Sequence, residues 1–227
     1  MVEGTYFSDV LCIWAYVAQE RTEALRRTFG AEVQLRHRFC NVFGDAREKI
    51  ATGWRDRESF AGYARHVAAI AARFPHISVH PDVWTRVRPA TSLSPHLFLH
   101  AVRLYEGQSG IPHDPLGLSL FEQAMKALRE AFFVNARDIA TASVQADVAR
   151  ALGIDPDALR PFYDDGTANA ALAGDYHDAD KQRIEGSPTL LLNEGRQRLF
   201  GNVGFRVIEA NIRELLREPG SDQASWC

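Results

Sequence analysis

The chain has 227 residues, 46% hydrophobic and 24% charged, which suits one globular domain, or a small one carrying an insertion, and excludes disordered, collagenous and low-complexity classes. Its 26 basic and 29 acidic residues leave a net charge of −3, so nucleic acid is not an expected partner. The longest apolar run, residues 10–18, falls well short of the roughly 20 residues of a membrane span, and no basic segment precedes it as in a secretory signal; both point to a cytoplasmic protein without a membrane partner.

In chain order, residues 5–11 read as a strand. Over 13–29 the apolar period becomes helical, with Ile13, Trp14, Val17, Leu25 and Phe29 on one arc and Gly30 at the end. Arg21 intrudes on the apolar side, as a snorkelling cation that pairs with a carboxylate. Residues 33–39 alternate strictly, as in a half-buried edge strand. Helices are expected over 57–74, 95–105 with Ser94 as N-cap, 119–138 with a Glu122–Lys126 pair, 142–152, 156–163 and 168–184. Residues 189–192 and 196–200 read as a β-hairpin around Asn193-Glu194-Gly195, and a last helix runs from 204 to before Pro219. The order is βαβ, a helical block, then helix–β–β–α: a thioredoxin-like α/β fold with a large all-helical insertion. The expected boundaries are 1–50 and 167–218 for the two parts of the thioredoxin-like domain, 51–166 for the insertion and 219–227 for a frayed tail.

The chemistry concentrates in two short segments. Cys12 stands where the first strand gives way to the first helix, where unpaired N–H groups and the helix dipole favour a thiolate and draw such thiols from about 8.5 to roughly 3.5–7.5. The plainer alternative is a small buried hydrophobe. The other segment is Gly186-Ser187-Pro188-Thr189, which opens the third strand. A trans proline would only delay that strand, whereas a cis bond would present the Ser187 backbone to an extended peptide or thiol. The three cysteines, Cys12, Cys40 and Cys227, form no CxxC, and the histidines show no paired ligand spacing, so neither a disulfide framework nor a metal is expected. His96 opens a helix of the block and is a candidate pocket residue. Trp14 is either core or a substrate shelf.

Cys12-Ile13-Trp14-Ala15 together with Ser187-Pro188-Thr189 resembles the DsbA-like branch of the thioredoxin superfamily. That branch includes FrnE-type oxidoreductases, 2-hydroxychromene-2-carboxylate isomerases and kappa-class glutathione transferases. Further matching segments are His80-Pro81-Asp82-Val83-Trp84, Ser94-Pro95-His96-Leu97-Phe98-Leu99, Ala127-Leu128-Arg129-Glu130-Ala131-Phe132-Phe133, Arg137-Asp138-Ile139 and Leu199-Phe200-Gly201-Asn202. The oxidoreductases of the branch carry a Cys-Pro-Trp-Cys-like pair, but Ala15 occupies the second cysteine position here. The resemblance therefore implies a single-cysteine enzyme whose mixed disulfide is released by an external thiol. Cys40, at the end of the second strand, is either a resolving thiol or inert.

The resemblance also implies no permanently bound cofactor, but glutathione or a similar small thiol as cosubstrate, with a disulfide or an electrophile as second substrate. It places that thiol against Ile13, Trp14, Asn41, Ser187 and Pro188, with its γ-glutamyl end at Asn202 and Val203. It leaves open a transferase or isomerase that activates bound glutathione, and a non-enzymatic module that binds thiol peptides. Homodimers occur among such relatives, although no interface stripe stands out in this sequence.

Overall fold

The computed structural model describes residues 1–217. Four strands form one sheet in the order β2-β1-β3-β4: β1 (Val2–Ser8), β2 (Val33–Phe39), β3 (Thr189–Leu192) and β4 (Gln197–Phe200). β2 runs parallel to β1 and occupies an edge, as its alternation predicts, with His37 and Phe39 buried while Gln34 and Arg36 are exposed. β3 is antiparallel to β1, and β4 is antiparallel to β3 across the expected hairpin. α1 (Ile13–Phe29) joins β1 to β2, and α9 (Phe205–Leu216) closes the fold. This is the thioredoxin-like α/β architecture, and a helical insertion separates β2 from β3.

The insertion and its return helix comprise α2 (Ala46–Gly53), α3 (Ser59–Ala71), α4 (Leu93–Ser109), α5 (Leu120–Arg129), α6 (Ala142–Ala151), α7 (Arg160–Asp164) and α8 (Thr167–Lys181). Tyr6, Leu25, Leu190, Ile208 and Ile212 fill the layer between the sheet and α1 with α9. Phe7, Cys40 and Leu191 meet Ala179 of α8 on the opposite face. The largest cluster is shared: Val10, Leu11 and Ile13 pack in the same core as Leu99, Leu128 and Phe132 of the insertion. The helical block is thus held to the site-bearing end of the sheet by apolar burial.

Several expectations are corrected. β1 lies nearer the N-terminus than residues 5–11, because the Leu11 N–H bonds Asp9 Oδ1 and the Cys12 N–H bonds the Asp9 carbonyl, turning the chain at Asp9. The helix α2 was not expected, although Asp45 caps it by accepting from the Glu48 N–H at 2.9 Å. α4 starts after Ser92, not Ser94. The Ser94 hydroxyl lies inside the helix, donating to the Ala140 carbonyl and accepting from Gln145. The expected helix 119–138 is α-helical only to Arg129 and continues as a π-helical turn over Glu130–Val134. Glu122 does not pair with Lys126: it holds Arg26 and His37, and Lys126 pairs with Glu23. Arg21 has no carboxylate partner among the described residues, and its Nη1 is buried without a hydrogen bond. The tail at 219–227, with Cys227, lies outside the described residues.

Candidate active site

Cys12 is the N-cap of α1, with extended φ and ψ of −78° and 119°, and its carbonyl accepts the first helical bond from the Tyr16 N–H. The side chain is 6% exposed. Its Sγ donates to the Ser187 carbonyl at 3.2 Å, and the Ser187–Pro188 peptide bond is cis. The two segments singled out by the sequence, 175 positions apart, therefore meet in one contact.

One buried carboxylate assembles the surrounding loops. Asp9, fully buried, accepts from Leu11 N–H on Oδ1 at 3.0 Å. Its Oδ2 accepts from Val42 N–H at 3.2 Å, Phe43 N–H at 2.9 Å and Ser92 Oγ at 2.7 Å. Its backbone N–H donates to Ser187 Oγ at 2.9 Å. Asp9 thus ties the β1–α1 turn, the loop after β2, the start of α4 and the Ser187–Pro188 turn to one point. Burial pushes its carboxyl up to about 6, against those hydrogen bonds.

His96 is also fully buried, and its Nε2 accepts from the Val10 N–H at 3.1 Å. The proton therefore sits on Nδ1, which faces Tyr176 Oη at 3.0 Å. Phe39 stacks on the ring, with centroids 4.1 Å apart. Burial holds the imidazole well below its ordinary value, so His96 supports the β1–α1 turn as a neutral acceptor. Its side chain has no exposed surface.

The electrostatics of Cys12 run against the sequence expectation. Burial pushes its thiol up, and the Asp9 charge adds to that push. The hydrogen bond to Ser187 and the N–H groups of Ala15 and Trp14 pull the other way and do not prevail. A helix N-terminus lowers a thiol only where water or a cation leaves the thiolate cheap to form; here desolvation dominates. Arg129, 1% exposed, bonds Gln19 at 3.0 Å and Ser8 at 3.4 Å and has no carboxylate partner among the described residues.

The other expected residues take different places. The Ile13 side chain is buried in the shared core. Trp14 is half-buried and meets Phe74 edge-on at 6.1 Å, so it contacts the insertion. Asn41 is exposed in the loop held by Asp9, and its amide folds over Gly44, where a Cβ would lie 2.0 Å from Oδ1. Asn202 and Val203 follow Gly201, whose N–H bonds the Pro188 carbonyl at 2.8 Å. Asn202 is exposed, and the N-cap of α9 is Gly204 rather than Asn202. Cys40 is buried and free, and burial pushes its thiol up.

Sequence reasoning assigned no role to Asp9, Ser92 or Arg129. A charged residue directly before the apolar run 10–18 was the available signal for Asp9, since such a carboxylate must be either exposed or fully bonded.

The sequence profile of the DSBA-like thioredoxin domain matches residues 5–213. The chain belongs to this family. No curated protein sequence matches it. Among solved structures, a Nitrosomonas europaea protein provisionally assigned as a protein disulfide isomerase is 18% identical, with a TM-score of 0.69 and 95% of each chain covered. A 2-hydroxychromene-2-carboxylate isomerase is 20% identical, with a TM-score of 0.65, covering 98% of this chain and 100% of that one. The cytosolic disulfide reductase DsbM from Pseudomonas aeruginosa, whose structure has also been determined with GSH, is 18% identical, with a TM-score of 0.64, covering 93% of this chain and 99% of that one. At these identities the likeness establishes the shared fold. Among the described residues no group of His, Cys, Asp or Glu side chains is arranged to hold a metal, and no helix is long and apolar enough to cross a membrane.

Proposed function

We propose that this member of the DSBA-like family is a thiol-disulfide oxidoreductase working through Cys12 alone, with glutathione or a similar thiol as cosubstrate. The observation that carries this reading is the 3.2 Å contact between Cys12 Sγ and the Ser187 carbonyl beside Pro188, with Ala15 where a second thiol would stand. The Cys12 thiolate attacks the glutathione sulfur of a mixed disulfide between glutathione and a substrate thiol, forming a Cys12–glutathione disulfide and expelling the substrate sulfur as a thiolate. A glutathione thiolate then attacks the glutathione sulfur of a Cys12–glutathione disulfide, releasing oxidised glutathione and regenerating Cys12. The Ser187 backbone is assigned to pair with the cysteinyl backbone of the incoming thiol. Asn41 lies on the loop that Asp9 holds, Asn202 and Val203 follow the Gly201 that bonds Pro188, and these three are the residues assigned to the rest of glutathione.

The raised Cys12 thiol favours a second reading within the same site. A cysteine that stays protonated serves as an S–H donor to a bound glutathione thiolate, as a transferase or isomerase requires. One experiment separates the two. Wild type and Cys12→Ser are treated with oxidised glutathione and weighed intact, and disulfide reduction by glutathione is assayed in parallel. The oxidoreductase reading expects one glutathionyl group on Cys12 and loss of turnover in Cys12→Ser. Glutathione binding that persists in Cys12→Ser, without any adduct in the wild type, overturns it in favour of the donor reading.

A further inference from the structure

β2 is an edge strand, and its free side faces a cleft of about 940 Å³ between the sheet and the helical block. In a strand, the N–H and C=O of one residue point the same way and alternate along the chain. The Cys40 N–H bonds Ser8 of β1, so the even-numbered residues face β1. The odd-numbered residues face the cleft. At the far end the insertion covers them: Arg103 Nη2 donates to the His37 carbonyl at 2.8 Å, and the Phe39 N–H donates to Asp175 Oδ2 at 2.9 Å. Nearer the start of the strand nothing does. The Val33 C=O, both backbone groups of Leu35 and the His37 N–H have no hydrogen-bond partner among the described residues. Proteins usually cover or blunt such an edge, and this one is covered only in part.

The charges along the cleft favour one sign. Its carboxylates are already engaged: Glu106 accepts from the Leu120 and Phe121 N–H groups, Glu122 holds Arg26 and His37, and Asp175 holds Arg38 and His100. Two of its cations are not. Arg36 has no ion pair among the described residues, and Arg103 lies 3.7 Å over the Phe121 ring with only a backbone carbonyl as acceptor. A second copy of the chain fits poorly, because antiparallel pairing of β2 with itself would bring its own arginines together on one face.

We propose that this half-open edge binds an extended, acidic peptide segment of a partner protein by adding a strand beside residues 33–37. The backbone groups give the pairing, and Arg36 and Arg103 select the charge. The surface is separate from Cys12 and does not rest on the thiol chemistry.

The test is fluorescence anisotropy with a labelled peptide of alternating Glu and Val. Saturable binding that weakens with salt is expected. The same peptide N-methylated at alternate residues, so that one edge cannot donate, should bind about tenfold more weakly or worse, and Arg36→Glu should cost a similar factor. Leu35→Pro removes a cleft-facing N–H without touching the β1 ladder, and should abolish binding in protein whose circular dichroism shows it folded. Excess glutathione should not displace the peptide. No saturable binding, equal affinity for the N-methylated peptide or for one of alternating Lys and Val, or displacement by glutathione would overturn the proposal. Should Leu35→Pro fail to fold, the paired peptides on wild-type protein still decide it.

Discussion

Asp9 and Ser187, 178 positions apart, are joined by a 2.9 Å hydrogen bond from the Asp9 N–H to Ser187 Oγ, while the Ser187 carbonyl receives the Cys12 thiol. One residue of the Ser187–Pro188 turn is therefore fixed from the same β1–α1 turn that carries the cysteine. The carboxylate of Asp9 extends the tie to Val42, Phe43 and Ser92. Asp9→Ala leaves Leu11, Phe43 and Ser92 with buried donors lacking an acceptor, whereas the Val42 N–H keeps the Cys40 carbonyl at 3.1 Å. A loss of about 3 kcal/mol is expected, near a 10 °C fall in Tm for a chain of this size. A melting curve within a degree or two of wild type would show that the hub is dispensable.

The same carboxylate has a distinct pH signature. Burial raises Asp9 to about 6 in the folded protein, against about 3.9 in an unfolded chain. The folded state thus binds the proton more tightly than the unfolded state does. The stabilisation linked to Asp9 is complete below about pH 4 and is lost as pH rises through 6, by an amount on the order of 3 kcal/mol. Glu122 runs the opposite way: despite its burial, its bonds to His37, Ser119 and Arg26 hold it at about 2, so its contribution is present above about pH 4 and lost as pH falls toward 2. The two windows do not overlap. Urea titrations of wild type and Asp9→Asn between pH 4 and 7 should differ in slope, with the variant flatter, and parallel curves would contradict the assignment.

Cys12 should alkylate slowly and with a midpoint above the ordinary thiol value, because burial outweighs the helix N-terminus. Asp9→Asn removes a nearby negative charge and should move that midpoint down. Iodoacetamide rates across pH, with Cys12→Ser as background, measure both. A midpoint below about 7 would mean that the helix N-terminus prevails over burial after all.

The sheet and its connections were legible because each rests on a local pattern: the alternation of 33–39, the helical arc of 13–29 and the turn at Asn193-Glu194-Gly195. The meeting of Cys12 with Ser187 was legible as well, through the family motifs and the strand order. The hub was not. Asp9, Ser92 and His96 converge from separate loops, and no spacing along the chain encodes that convergence. The sequence left the Cys12 thiol open between an activated thiolate and a buried hydrophobe for the same reason. Its place at a helix start is local, but the burial that reverses the effect comes from Val10, Leu11 and the insertion packing around it. The break from α-helix to π-turn after Arg129 has no local marker in a segment of good helix formers.

Gly44 offers a test of Asn41 that spares the core. A Cβ at Gly44 would fall 2.0 Å from Asn41 Oδ1, so Gly44→Ala must swing the exposed amide away. Stability should change by less than about 1 kcal/mol, as for most surface substitutions. Glutathione affinity, measured by calorimetry, should fall several-fold if Asn41 contacts the thiol. Unchanged affinity would remove Asn41 from the site.

Ala15 decides how this site differs from a two-cysteine enzyme. Its side chain is fully buried at the third helical position of α1, and its N–H faces Cys12 Sγ. Ala15→Cys adds one sulfur to a packed position, at about 1–2 kcal/mol of stability. It also puts a second thiol where the two-cysteine enzymes carry one, able to resolve a mixed disulfide from within. With a disulfide substrate, the variant should release product without added glutathione. It should also accumulate an internal disulfide between Cys12 and the introduced thiol, detectable by mass under non-reducing conditions. Wild type should stop at the mixed disulfide until glutathione is added. If wild type releases product once without added thiol, another thiol of this chain must resolve Cys12, and the buried Cys40 becomes the residue to replace next.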